Sequence, residues 1–494
     1  MKHSIRCGTG ALCLALLSAA CLSCGENAET PVDTMPSVTP AETEAQTEAI
    51  PPEETLSLSP ELDFGGKACK FLIREAIANT EYFVEAETGD IVDDSLFRRN
   101  QAVEERLNMK FDFIPLPGEW ENQDTFNGAI RASVMSNDGA YDLCGVLSNQ
   151  LSKLALEGLL LNMYELPHLD FSKAWWAGGL LDELTVYDKL YFASGDASLG
   201  FLGGMMCVFF NKSLAQSFDL PDIYSIVRDG KWTLDKIVEL SKDVWLDLDG
   251  DGKKSHDDRL GLAIGSWNQL YGFLDSFDLP ILEKDKNGVP SEFVYGGEKV
   301  SDAVSKLVGL FKNNNAIAVE KEIDYTNTFT AGNILFCTGE FKDTTVFRDI
   351  NMFDYGVVPM PKWSDDQENY YTTVRATYSG FCLPVTAADP ELSAAALEAF
   401  AYESYQNVSP IYFEKALKIK YARDNETAQM FDLIKSSVTF KFATAFTMSL
   451  GDPQNFFKGQ VGDLKENWAS SYASQEKTFQ KNLEKTLETL KELP

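Results

Sequence analysis

Histidine is almost absent from this 494-residue chain: His3, His168 and His256 are the only three. Groups that exchange protons near neutral pH are therefore scarce, and general-base chemistry has few carriers. GxSxG, HExxH and a Cys/His pair with catalytic context are also missing, so no nucleophile has a local signature. No GxxxxGK[ST] pattern occurs, so the chain carries no P-loop signature for ATP hydrolysis. Cations are few as well, 43 Lys+Arg against 75 Asp+Glu, a formal net charge of −32. Without clustered Lys and Arg to release its counterions, a phosphate backbone is excluded, and no nucleic acid is expected as a partner. The acidic surface instead suits solubility outside a cell.

What is present begins with an address. Lys2 and Arg6 precede the apolar stretch Gly8 to Ala20, the charged and apolar regions of an export signal. The stretch is too short for a permanent span, which needs about 20 apolar residues. Residues 1–20 are read as a lipoprotein signal peptide, because Leu17-Ser18-Ala19-Ala20-Cys21 resembles the lipobox of bacterial lipoproteins. Cys21 is the expected lipidation site and Cys24 the alternative; a secreted signal cut nearby is the competing reading. From Gly25 to Asp63 there are ten acidic residues, six prolines and no Lys or Arg, which marks residues 21–62 as a solvated tether. No later apolar run reaches membrane length. The expected location is thus the extracellular face of a bacterial cell membrane, with the lipid as sole membrane contact. Cys69, Cys144, Cys207, Cys337 and Cys382 sit in apolar runs without paired metal spacing, read as core thiols with no disulfide framework.

The folded body is too long for one core and suits two lobes. Apolar/polar alternation predicts a strand over Ala68–Glu75, and Asp94 or Ser95 can cap a helix to Asn108 with Leu96, Phe97, Val103 and Leu107 on one face. A strand Met109–Pro115, a helix Asp124–Ser136 and a strand Tyr141–Leu147 follow. This spacing argues for a parallel sheet, with ligand beyond the strands' carboxyl ends near Glu75 and Ser148-Asn149. A strand Met206–Phe210, helical spacing from Val300 to Phe311 and a buried strand Tyr355–Met360 make a second α/β lobe. Asp389-Pro390-Glu391 starts a helix, and Ser474–Leu493 reads as an amphipathic helix packed on the outside.

Seven stretches then occur in a telling order: Asp63-Phe64-Gly65-Gly66-Lys67, Asn100 to Asn108, Tyr141-Asp142-Leu143, Trp175-Trp176, Val208 to Lys212, Gly230 to Asp235 and Tyr355 to Pro361. Over residues 60 to 450 the chain resembles the extracellular solute-binding proteins (family 1, maltose-binding-like) of bacterial ABC importers. The resemblance implies an α/β fold, periplasmic-binding-protein-like type II, with two α/β lobes and a hinged ligand cleft. It implies residues 63–205 as the first part of lobe 1, 206–377 as lobe 2 and 378–494 as helices shared between them. The first crossing is expected near Met205 to Val208 and the return near Tyr378 to Leu383. It further implies a monomer, not an enzyme, that captures a carbohydrate such as an oligosaccharide unchanged and passes it to importer permease subunits. A peptide, amino acid or polyamine ligand is the alternative. In another class stands a secreted glycoside hydrolase, needing two carboxylates about 5–10 Å apart.

Sugar recognition combines flat apolar faces with planar polar groups. By position the candidates are Glu75 after the first strand, Glu81 and Tyr82 in the loop beyond, and Asn149 after the third strand. Trp175 and Trp176 adjoin Gly178-Gly179, Trp267 follows Gly265-Ser266 after a strand Leu260–Ile264, and Tyr378 lies at the return crossing. The tryptophan pair is the leading candidate, on the argument that two adjacent indoles in a loop cannot both point into a core. Trp232, before the helix cap Thr233, reads instead as a hydrophobic staple.

The sharpest local motif is Asp247-Leu248-Asp249-Gly250-Asp251-Gly252 with Asp258 six residues on, which fits D-x-D-x-D-G-x5 with Asp in place of Glu at the twelfth position. Calcium takes hard oxygens, and the expected ligands of this EF-hand-like loop are Asp247, Asp249, Asp251, the Lys253 carbonyl, Ser255 through water, and Asp258. The entering helix is expected over Thr233–Trp245, and the exit is a strand, so the role of Ca2+ would be structural.

Overall fold

A computed structural model describes residues 55–313, 316–318, 322–347, 350–412 and 425–494. The leader, Cys21, Cys24 and most of the tether lie outside the described residues. The first sheet starts with β1 (Lys67–Arg74), and α1 (Ile91–Leu107) carries the chain over to β2 (Met109–Leu116). Next, α2 (Gln123–Ser136) leads to β3 (Leu143–Leu147), which runs straight into α3 (Ser148–Leu156). β1 pairs in parallel with both β2 and β3, the pattern that two helical crossovers impose. Leu96, Val103 and Leu107 of α1 are buried.

The start of α1 differs from the expectation of Asp94 or Ser95. Asp90 is the cap, its carboxylate accepting from the Val92 and Asp93 N–H groups at 2.8 and 3.5 Å. Asp94 instead holds the Thr88 and Gly89 N–H groups, tightening the turn before the helix. The ending at Asn108 holds: it takes a left-handed conformation, φ 45°, that asparagine tolerates.

The short helix α4 (Gly178–Leu184) precedes the second sheet. That sheet is built from β4 (Met206–Asn211), β5 (Leu260–Ile264), then, beyond the hairpin β6 (Leu282–Lys284)/β7 (Pro290–Phe293), β8 (Ile317–Ala318), β9 (Ile334–Glu340) and β10 (Tyr355–Pro359). Its order is β10-β4-β9-β5-β8, with β5 parallel to β8 and β9, and β4 antiparallel to β9 and β10. Finally β11 (Ser379–Cys382) returns to the first sheet antiparallel to β3, giving β11-β3-β1-β2. β3, β4, β5, β9, β10 and β11 are buried at every position, as expected where helices or loops cover both faces.

The two sheets are joined by two segments that lie side by side. Met205 and Val374 form an antiparallel bridge, the Met206 N–H donates to Thr373 O at 2.9 Å, and the Arg375 N–H donates to Gly204 O at 2.9 Å. The architecture is therefore two α/β lobes tied by paired crossings.

The later helices serve both sheets. Pro390–Glu403, capped by Asp389 through the Leu392 N–H (3.1 Å), packs on α1, whereas Asn425–Ser436 packs on β10. The last helix starts at Trp468 rather than Ser474 and runs to Glu492. It is less peripheral than its charge suggests, because Trp468, Tyr472, Phe479, Leu483 and Leu490 are buried and the Trp468 indole donates to Tyr295 O at 2.8 Å. Trp232 is also buried, on Phe336, with its indole donating to Pro359 O at 2.8 Å, while Thr233 caps the helix Leu234–Ser241. The five described cysteines are buried free thiols. Among the described residues no helix is long and apolar enough to cross a membrane.

Candidate ligand-binding site

The carboxyl ends of β1 and β3 and the start of β11 converge on Ser379. Its Oγ accepts from Arg74 at 3.0 Å and from the Tyr82 hydroxyl at 2.7 Å. Gly145 on β3 makes room for that phenol, since a Cβ there would lie 2.2 Å from the Tyr82 hydroxyl oxygen. Arg74, itself buried, also holds the Glu119 carboxylate with both oxygens at 3.1 Å. Glu81 is buried too, accepting from Ser198 Oγ at 2.9 Å and the Gly200 N–H at 3.0 Å. Glu81 and Tyr82 are thus engaged in holding the protein together. Glu75 is exposed in a 3-10 turn over Glu75–Ile77.

The tryptophan pair corrects the argument made for it. Trp175 and Trp176 are both buried, because one buried carboxylate answers both indoles: Glu398 accepts from Trp175 Nε1 and Trp176 Nε1, each at 3.1 Å. Two adjacent indoles do point inward when a bidentate acceptor lies between them. Desolvation of Glu398 pushes its pKa up to about 7, although the Asp170 N–H and the two indoles pull the other way. Trp267, half-buried, lies against Phe311 with centroids 5.4 Å apart and within 3.5 Å of a Cβ built on Gly462.

Asn149 and Tyr378 do come together. They share a narrow recess, partly open to solvent, beside the paired crossings. Ser148 and Asn149 enter it from the first turn of α3, and Thr373, Val374 and Tyr378 from the return crossing. Asp275 comes from the short helix Gly272–Ser276 beyond β5, and Phe440, Lys441 and Thr444 from the segment following the helix Asn425–Ser436. Phe192, Tyr378 and Phe440 supply the flat apolar surface. Phe201 braces two of these rings from behind, stacked on Phe440 at 5.7 Å and edge-on to Tyr378 at 5.3 Å.

The polar side is equally specific. Asp275 is 3% exposed; its Oδ2 accepts from Thr373 Oγ1 at 2.8 Å and its Oδ1 lies 3.4 Å from Lys441 Nζ. Lys441 also donates to Leu274 O at 3.3 Å and Leu279 O at 2.7 Å. Next to it, the Phe442 N–H donates to Glu183 of α4 at 2.7 Å, and Glu183 pairs with Lys284 of the β6/β7 hairpin at 2.6 Å. Sequence reasoning missed Asp275, Thr373, Phe440, Lys441 and Thr444. No periodicity or motif marks them, and their only shared property is where the chain returns to.

The acidic loop forms a compact turn closed by a Leu246–Arg259 bridge. Carboxylate oxygens of Asp247, Asp249 and Asp258 lie within 4.8 Å of one another. Asp247 accepts from the Gly250 and Gly252 N–H groups at 2.6 and 2.9 Å, and both glycines take positive φ, 80° and 74°. Asp258, fully buried, is fixed by the Leu248 N–H (2.9 Å), the Ser255 N–H (3.0 Å) and the Trp245 indole (3.3 Å). Asp251 falls outside the trio, capping the Lys253 N–H at 2.7 Å. At Asp249 the Asp251 N–H lowers the pKa, but burial and the charges of Asp251, Asp258 and Asp247 outweigh it and raise the value. Three mutually repelling hard oxygens on a glycine-shaped loop fit a divalent cation of the calcium type. The entering helix is shorter than expected, ending at Ser241, and β5 follows the loop as read from the sequence.

No protein-family model and no curated protein matches the chain. Solved structures do. An ABC transporter solute-binding protein from Thermotoga lettingae bound with alpha-D-tagatose superposes with a TM-score of 0.54 at 12% identity, covering 85% of this chain and 100% of that one. The GacH receptor of Streptomyces glaucescens, solved unliganded and with acarbose, gives 0.51 at 12% identity over 87% and 100%. An ABC substrate-binding protein from Listeria monocytogenes in complex with cycloalternan gives 0.53 at 11% identity over 84% and 98%. The chain therefore has the two-lobed fold of these binding proteins.

Proposed function

We propose that the chain is a substrate-binding protein of an ABC importer that captures a carbohydrate, in particular an oligosaccharide, between its lobes and releases it unchanged. The observation that carries this reading is the recess beside the Met205–Val374 crossings, where three aromatic rings face a buried Asp275 and Thr373. Aromatic faces opposite hydrogen-bonding groups suit a pyranose, and a pocket at the joint of two lobes suits closure on a ligand. The likeness to tagatose-, acarbose- and cycloalternan-bound proteins points the same way.

The rest of the reading follows from the chain's beginning and its acidic loop. Export through residues 1–20, acylation at Cys21 (alternatively Cys24) and a tether to residue 62 would hold the folded body at the outer face of the membrane. From there, as a monomer, it would meet the importer's permease subunits. Asp247, Asp249 and Asp258, with Asp251, the Lys253 carbonyl and Ser255 completing the shell, would hold a structural Ca2+.

The test is a thermal-shift screen of the purified chain against α- and β-linked glucans, xylans, mannans and short peptides, with recovery of the ligand. A ligand of the native state raises the melting temperature by mass action. Intact sugar recovered from a stabilised complex supports capture. Shortened sugar supports a glycoside hydrolase, and stabilisation by peptides alone overturns the carbohydrate assignment.

A further inference from the structure

Three buried side-chain oxygens on the walls of the recess lack a hydrogen-bond partner among the described residues: Ser148 Oγ, Asp275 Oδ1 and Thr444 Oγ1. Ser148 lies beside the Tyr378 phenol but outside hydrogen-bonding geometry, and Asp275 Oδ1 has only the 3.4 Å ion contact with Lys441. A buried polar group left unpaired is costly, so three around one space call for a ligand that pairs them. The charges narrow that ligand further. Asp275 and Lys441 are the charged residues on the recess wall, and they offset each other. Lys441 Nζ donates to Leu274 O and Leu279 O and lies 3.4 Å from Asp275 Oδ1, so its charge is already answered by the Asp275 carboxylate and offers little to an anionic ligand. A cationic ligand would meet the same ammonium close to the one acceptor it needs.

We propose that the recess reads two hydroxyl groups of one neutral sugar residue, Asp275 accepting from one while Thr444 and Ser148 serve the other, and that Lys441 sets the preference for uncharged over cationic ligands. This rests on the capture reading above and deepens it to named specificity residues. It also predicts an unusual signature. Removing an orphan hydroxyl relieves a penalty in the empty protein but removes a contact to the ligand. A residue with a merely structural role does not behave so.

The experiment uses the full chain, titrated by calorimetry with neutral di- and trisaccharides of glucose, mannose and xylose, and with 2-amino-2-deoxy counterparts of whichever glucose or mannose sugars bind. The wild type is expected to bind a neutral sugar at least tenfold tighter than its amino counterpart. Thr444→Val and Ser148→Ala are expected to lose five- to thirtyfold in affinity while the ligand-free melting temperature stays level or rises. Lys441→Met is expected to narrow or invert the neutral-over-amine preference. Asp275→Asn provides the opposite charge change should Lys441→Met not fold; it should weaken neutral binding and deepen rejection of amines. Sugar affinity unchanged in both hydroxyl variants, or an unchanged charge preference in the Lys441 or Asp275 variant, overturns the proposal and leaves capture standing. Failure of every sugar to bind the wild type overturns the capture reading, and this one with it.

Discussion

Met205 and Val374 face each other as an antiparallel bridge, so the chain leaves the first sheet and returns to it along two hydrogen-bonded segments. Gly204 abuts the return crossing: a Cβ there would come within 3.0 Å of Gly200 O and 3.4 Å of both Arg375 O and Val374 Cγ1. Gly204→Val should press the crossings apart. We expect a stability loss of about 1–3 kcal/mol by urea unfolding, typical of overpacking, and weaker sugar binding. Full stability with unchanged binding would show that the crossings yield freely.

Glu398 joins Trp175 and Trp176 across more than two hundred residues of sequence. Glu398→Ala would leave two buried indole N–H groups unpaired, at about 1–3 kcal/mol each. The expected loss is therefore about 2–6 kcal/mol in chemical denaturation, with a red shift or intensity change in tryptophan emission. A variant as stable as wild type would refute the assignment of Glu398 as the keystone of this cluster.

The same carboxyl makes stability depend on pH. Burial raises its folded-state pKa to about 7 from an ordinary 4.5, so between those values the folded chain holds a proton that the unfolded chain has released. Stability must then fall as pH rises through that window, by up to about 3 kcal/mol from this group, with no further change below 4.5 or above 7. Unfolding measured at pH 4.5, 5.5, 6.5 and 7.5 should show a shallower decline in Glu398→Gln than in wild type. Parallel curves would remove Glu398 as the cause.

The acidic loop offers a test by metal removal. If Asp247, Asp249 and Asp258 hold Ca2+ in the weak extracellular range of about 10⁻⁴–10⁻³ M, then 10 mM calcium should stabilise EDTA-treated protein by about 1–3 kcal/mol. Asp258→Asn should abolish that gain. Unchanged calorimetric melting in wild type on adding calcium would leave the loop as an acidic turn.

Much of the fold is legible in the sequence because its signals are local. The Asp389-Pro390 helix start and the helix end at Asn108 follow from residues within a few positions of one another, and the strand-helix-strand alternation implies the parallel pairing of β1 with β2 and β3. Asp94 misleads as a cap because the true first turn, Ile91 to Asp94, is exposed or half-buried and the buried face begins only at Ser95 and Leu96. The site is far less legible. Asn149 and Tyr378 could be placed from strand ends, whereas Asp275 and Lys441 meet only through the path of the whole chain. The Trp175-Trp176 pair looks like a surface feature until Glu398, far along the sequence, is folded against it.

β5 has the acidic loop at its amino end, where Leu246 meets Arg259, and Gly265 at its carboxyl end, on the side leading to Asp275. Five extended residues set the two ends about 16 Å apart, beyond the range at which independent perturbations usually couple. An ion at one end and a solute at the other should therefore act as separate loads on a single rod. Their stabilising increments would then sum, and a cell could vary one supply without retuning its grip on the other.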